Sequence, residues 1–130
     1  MITHINITLS TEDLQKAINF YEDIGFVLKE RNCNFVSYII TENTSLTIYK
    51  DGLFCKYTPK EITNSNKSNE AIFSIKVESK SEVDDLIKRA LSVGWKPAME
   101  TEEWPSWLYF WSFQDPDGHL WEVLYSEPTE

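Results

Sequence analysis

The sequence predicts an α+β fold built from two βαβββ halves, and three observations carry that reading. Both halves of the chain open on an alternating strand, continue into a capped amphipathic helix that ends at glycine, and then supply three further strand-like runs. The landmarks repeat at one offset: Ser10 and Ser79, Leu14 and Val83, Ala17 and Leu86, Ile18 and Ile87, and Gly25 and Gly94 all lie 69 positions apart. Neither half can cover a sheet face alone, so a curved mixed sheet around a shared cavity, with the helices on the outer face, is the expected arrangement. Chance agreement between two α/β stretches is the plain alternative, and five matched landmarks outweigh it.

Ile2 to Leu9 alternates, Ile5, Ile7 and Leu9 on one face and His4, Asn6 and Thr8 on the other. Ser10-Thr11-Glu12-Asp13 offers a helix N-cap with acids in the first turn, where they complement the dipole. Leu14, Ala17, Ile18 and Tyr21 then recur at helical spacing up to a stop at Gly25. Phe26 to Arg31, Phe35 to Thr41 and Leu46 to Lys50 read as three short strands.

The first half thus spans 1–50, and a connection follows over 51–69. Its first part, GLFCKYTPK, carries Phe54 and Tyr57, which either fold over the cavity as a partial lid or plug an interface. Its second part, TNSNKSN, has nothing apolar to bury and is expected to be mobile.

The second half spans 70–126, within a single domain of 1–130. Ala71 to Val77 alternates, placing Phe73, Ile75 and Val77 opposite Ile72, Ser74 and Lys76. Ser79-Lys80-Ser81-Glu82 is a capping box, and Val83, Leu86, Ile87, Ala90 and Leu91 form an apolar stripe ending at Gly94. Trp95 to Glu100, Trp107 to Gln114 and His119 to Tyr125 are the remaining strands. Glu102-Glu103-Trp104-Pro105-Ser106 before the penultimate strand is irregular, and Trp104 and Trp107 there are either exposed contact residues or a cap on the pocket.

The last two strands meet at Asp115-Pro116-Asp117-Gly118, a turn by its chemistry: proline presets φ, aspartate bonds its own backbone and glycine allows positive φ. On the closing strand Leu120, Glu122 and Leu124 share a face, while His119, Trp121, Val123 and Tyr125 share the other. Glu122 is therefore an acid among apolar neighbours. Either it lies at a wet rim beside a basic partner, or it has a function that repays its desolvation.

Composition narrows the function. Twelve basic against twenty-one acidic residues give a net charge of −9, without a basic stripe. That disfavours nucleic acid and anionic membrane surfaces as partners. No apolar run reaches the length of a membrane span and no secretory leader is evident at the start, so a cytoplasmic protein is expected. Cys33 and Cys55 lack metal or framework spacing and are expected as reduced thiols. Five Trp, six Tyr and seven Phe exceed the needs of a small core and suit a pocket or a subunit interface.

The paired halves, the DLQKAINFYEDIGF run and the closing FQDPDGHLWEV resemble the vicinal oxygen chelate superfamily of glyoxalases, bleomycin-resistance proteins, fosfomycin-resistance enzymes and extradiol dioxygenases. SNEAIFSIKVESKSEVDDLIKRA and DGHLWEV resemble its glyoxalase-like branch, often described as predicted lactoylglutathione lyases. The resemblance covers nearly the whole chain and speaks for fold more than for reaction, since this scaffold hosts isomerases, transferases, oxygenases and pure binders. It implies a homodimer. It also implies metal ligands from the first and last strands of each half, which fall on Asn6, Thr47, Ser74 (or Ile72 if the register slips) and Glu122. Of these only Glu122 is a good ligand, so no cofactor is expected.

Were a divalent metal present, Glu122 with His4 would hold it, but His4 stands ~7 Å along the strand from Asn6. His119 is assigned to turn packing. The expected function is binding of a small neutral or cationic molecule, with Glu122, Asn6, Thr47 and Ser74 as polar anchors and Tyr109, Trp111 and Trp104 as aromatic walls. A glyoxalase-like lyase or isomerase, in which Glu122 is the catalytic base, is the first alternative. A structural dimer without ligand is the second.

Overall fold

The computed structural model describes residues 1–92 and 108–128. Gly94, the strand expected over Trp95 to Glu100, and Trp104 and Trp107 lie outside the described residues. The chain divides into two compact units, Met1–Thr63 and Asn64–Glu130, and the division falls inside the connection.

In the first unit, β1 (Ile5–Thr11) leads to α1 (Leu14–Asp23), then to β2 (Val27–Arg31), β3 (Phe35–Thr41) and β4 (Thr44–Lys50). The sheet order is β1-β4-β3-β2, with β1 parallel to β4 and the other pairs antiparallel. Strand alternation decides its faces. Val36, Tyr38, Leu46 and Ile48 are buried on the side that α1 covers with Leu14, Ala17, Ile18 and Tyr21. Tyr21 packs its ring 5.7 Å from that of Tyr38. Asn6, Thr8, Ser37, Ser45 and Thr47 occupy the other face.

Helix α1 starts later than its expected cap. Asp13, not Ser10, is the N-cap, and its carboxylate accepts from the Lys16 N–H at 3.2 Å. Strand β1 runs on to Thr11, which takes Ser10 into the sheet. The stop is as expected, since Gly25 has φ 99 and follows the C-cap Ile24.

The connection opens with one helical turn, α2 (Asp51–Phe54). Tyr57 is 74% exposed and leans on Tyr49, their centroids 5.8 Å apart.

In the second unit, β5 (Ile72–Lys76) is followed by α3 (Lys80–Ser92), β6 (Leu108–Gln114) and β7 (Leu120–Ser126). The order is β5-β7-β6, again with a parallel pair, β5 with β7, beside an antiparallel one. Ser79 caps α3 by accepting from the Glu82 N–H at 3.2 Å, as the capping box requires. The repeat survives in the packing: Leu14 and Val83, Ile18 and Ile87, and Tyr21 and Ala90 are all buried. The caps, however, are offset by three residues, because α3 begins a turn earlier on its own stripe. Leu91, expected on that stripe, is exposed.

The polar run after Thr63 hydrogen-bonds to the turn of the closing hairpin. Ser65 Oγ lies 3.2 Å from His119 Nδ1, and Asn69 Nδ2 donates to the Gly118 carbonyl at 3.1 Å. Gly118 has φ 89, and a Cβ there would stand 2.7 Å from the Asn66 backbone nitrogen. An apolar segment was unnecessary, because the turn's own polar groups supply the anchors. Gly118→Ala is expected to cost about 1–3 kcal/mol from strain and displacement of this segment, read by urea unfolding.

Tyr38 is fully buried and its hydroxyl has no hydrogen-bond partner among the described residues. Burial, reinforced by the Glu22 carboxylate, raises its pKa above the ordinary 10.0. A phenol raised in the folded state adds stability that is present below pH 10 and is lost as pH climbs through the folded value. Tyr38→Phe is therefore expected to leave stability at pH 7 unchanged or raised by up to about 1 kcal/mol, because an unpartnered hydroxyl is removed. Its alkaline loss of stability should also be smaller than the wild-type loss, as thermal unfolding across pH 7–11 would show.

Candidate functional site

In the second unit α3 covers the face of Tyr109, Trp111, Phe113, Trp121 and Val123. The Tyr109 hydroxyl donates to Asp84 of α3, and this bond holds the phenol's pKa above its usual value. Lys80 Nζ stands 5.9 Å from the same ring. Tyr109 and Trp111 thus tie the sheet to its helix and do not join Glu122.

Glu122 projects from the opposite face, directly across from Ser74 on β5 and Ser112 on β6. Ser74 Oγ donates to its Oε1 at 2.6 Å. The register makes Ser74, not Ile72, the partner, because Ile72 pairs with Leu120. Glu122 is half-buried and makes no ion pair among the described residues. Phe110 and Leu124 flank it on the same face. The sequence did not single out Phe110 and Ser112, because the face each takes depends on the register of β6 on β7, which the pairing of Ser112 with Glu122 sets.

The first unit carries a denser polar set on the face opposite α1. Asn6 Oδ1 accepts from Ser45 Oγ at 2.8 Å and from Thr47 Oγ1 at 3.0 Å. Asn6 Nδ2 donates to Thr8 Oγ1 at 3.2 Å. Ser37 Oγ lies 2.8 Å from Thr47 Oγ1, and His4 Nε2 lies 3.0 Å from Ser45 Oγ. Ser37, Ser45 and Thr47 are buried, whereas Asn6 is exposed. Asn6 and Thr47 therefore come together, joined by Ser37 and Ser45. Those two serines were legible in principle, since they fall on alternate positions of their strands.

A cleft of about 490 Å³ opens at the start of α1, between Leu14, Ile18, Arg31, Cys33 and Lys50. It takes in none of the expected site residues.

The family resemblance invites a test of metal fit. At the four positions concerned, Asn6 Oδ1 already accepts two hydroxyls, Thr47 donates to it, and Ser74 donates to Glu122. One carboxylate with three engaged neutral groups does not make the three or four strong donors a divalent transition metal takes. His4 is engaged with Ser45. Among the described residues the metal-capable cluster is instead Asp115, Asp117 and His119, whose ligating atoms lie within 4.8 Å of one another. Asp115 Oδ1 already accepts the N–H groups of Asp117 at 3.0 Å and His119 at 2.8 Å, so the cluster is first of all the hydrogen-bonded skeleton of the turn.

The profile of the Glyoxalase/Bleomycin resistance protein/Dioxygenase superfamily matches residues 2–123. The chain belongs to this superfamily. Its fold is that of solved members. A hypothetical protein from S. aureus superposes with a TM-score of 0.80 at 24% identity, covering 96% of this chain and 94% of that one. A glyoxalase-related enzyme from Fulvimarina pelagi gives 0.79 at 22% identity, covering 93% and 86%. A lactoylglutathione lyase from Agrobacterium tumefaciens gives 0.69 at 20% identity, covering 93% and 91%. No curated protein matches the sequence. Among the described residues no helix is long and apolar enough to cross a membrane.

Asp115→Ala is expected to cost about 2–4 kcal/mol, because one buried and one part-buried N–H group lose a charged acceptor. Asp115→Asn keeps an acceptor oxygen and should cost about half as much in the same denaturation experiment.

Proposed function

We propose that this superfamily member binds a small organic molecule, neutral or cationic, without a resident divalent metal. The observation that supports this best is that the groups at the metal-ligand positions hydrogen-bond to one another: Ser74 to Glu122, and Thr47 and Ser45 to Asn6. Glu122 supplies the negative anchor, and Phe110 and Leu124 give it an apolar surround. The net charge of −9 favours a ligand that is not an anion. A cytoplasmic homodimer is part of the same proposal. Edge strand β2 fits it, being exposed along its whole length with Val27 61% and Leu28 45% exposed.

A lyase or isomerase is the second reading, and one observation favours it. Glu122 accepts only the Ser74 hydrogen among the described residues and keeps a carboxylate oxygen for a substrate proton.

Two measurements separate the readings. Protein purified without chelator should carry no stoichiometric zinc, nickel or manganese, and cationic aromatic compounds should raise its melting temperature. Ligand at a hundredfold excess over its dissociation constant stabilises by ~2.7 kcal/mol, which is readily seen. Stoichiometric metal lost on Glu122→Gln, together with turnover of a hemithioacetal, would replace the binding reading with the enzymatic one.

A further inference from the structure

The hydrogen-bond senses around Asn6 form a closed count. Each hydroxyl has one hydrogen to give. Ser45 and Thr47 give theirs to Asn6 Oδ1. The Ser45–His4 contact must then be made by a hydrogen on His4 Nε2, and the Ser37–Thr47 contact by the Ser37 hydrogen. The hydroxyl hydrogens of Ser37, Ser45 and Thr47 and the hydrogen on His4 Nε2 therefore all run toward one amide oxygen. That oxygen is saturated and faces inward, onto side chains that are 3%, 5% and 6% exposed at Ser45, Ser37 and Thr47. Nδ2 faces the other way on an exposed residue, with one hydrogen on Thr8 and the second without an acceptor among the described residues.

We propose that Asn6 is a fixed hydrogen-bond donor to the ligand, held by Ser45 and Thr47 as positioning residues, and that it takes an uncharged acceptor oxygen such as a ketone or amide carbonyl. This rests on the binding reading above and adds the chemistry of one contact to it. It also assigns Thr47 a different task from the ligand contact expected of it, because its hydrogen is spent on Asn6. An outward N–H presents the positive end of the amide dipole, so the same position disfavours a cation and cannot ligate a metal. At Asn6 a polarising hydrogen bond to a carbonyl stands where the superfamily's metal-using members place a metal ligand.

The test uses the full chain, isotopically labelled, with the Asn6 side-chain amide assigned by its loss in Asn6→Asp. Acetophenone, benzylammonium chloride and Mn²⁺ are the probes. Acetophenone should shift the Asn6 amide pair, and benzylammonium should move other signals while leaving that pair in place. Mn²⁺ should not broaden the pair selectively. The Ser45→Ala, Thr47→Val double variant frees the amide to rotate and should weaken acetophenone about tenfold, the worth of one neutral hydrogen bond. Ser45→Thr keeps the hydroxyl and should bind as the wild type does. An amide pair that follows the ammonium in place of the ketone, or that Mn²⁺ broadens, overturns the donor assignment alone. Failure of both organic probes to move any signal overturns the binding reading beneath it.

Discussion

Parallel pairing of the first strand of each unit with its last, β1 with β4 and β5 with β7, is the constraint on which everything else in this molecule depends. Such a pair needs a long crossover, which here contains a helix, and the helix must lie on one face to bury its apolar stripe. Once one face belongs to the helix, strand alternation consigns every other side chain to the opposite face. Asn6, Ser45, Thr47, Ser74 and Glu122 are all consigned in that way. Within each unit the polar groups are therefore adjacent because of the topology, and their hydrogen bonds cross between strands distant in sequence.

The chemistry follows from that adjacency. A hydroxyl beside a carboxylate or an amide oxygen satisfies it at modest cost, and each such bond removes a donor or a lone pair from use elsewhere. Within the first unit Thr47 is spent on Asn6, and within the second Ser74 is spent on Glu122, which is what supports the proposal of binding without a resident metal. What remains outward is sparse and directional: an amide N–H on the first unit and carboxylate oxygen on the second. Glu122 between Phe110 and Leu124 is a sparse polar group among apolar ones, the setting on which the proposed binding of a small organic molecule draws.

Much of the fold was legible because alternation and helical spacing are local properties of the chain. β3 appears over the expected residues, and the helix stripes bury Leu14, Ile18, Val83 and Ile87 as their spacing requires. What local patterns cannot carry is register. Tyr109 and Trp111 were expected to wall the pocket, and only pairing of Ser112 with Glu122 decides that Phe110, between them in sequence, accompanies the acid instead. The cap of α1 moved for a related reason: pairing of Ser10 with Tyr49 and Thr11 with Lys50 extends β1, so Asp13 is the first residue free to cap. The contacts of the polar run near Ser65 were not legible either, because its partners, Gly118 and His119, are remote in sequence.

The central claim is that hydrogen bonds have taken the place of metal coordination at Asn6, Thr47, Ser74 and Glu122. A crystal of the protein soaked in zinc or manganese, with anomalous differences measured at the metal's absorption edge, tests it most directly. The account predicts no peak within coordination distance of Glu122 and an Asn6 amide still bonded to Ser45 and Thr47. A fully occupied peak ligated by Glu122, with the Ser74 or Asn6 bonds broken to reach it, would contradict it.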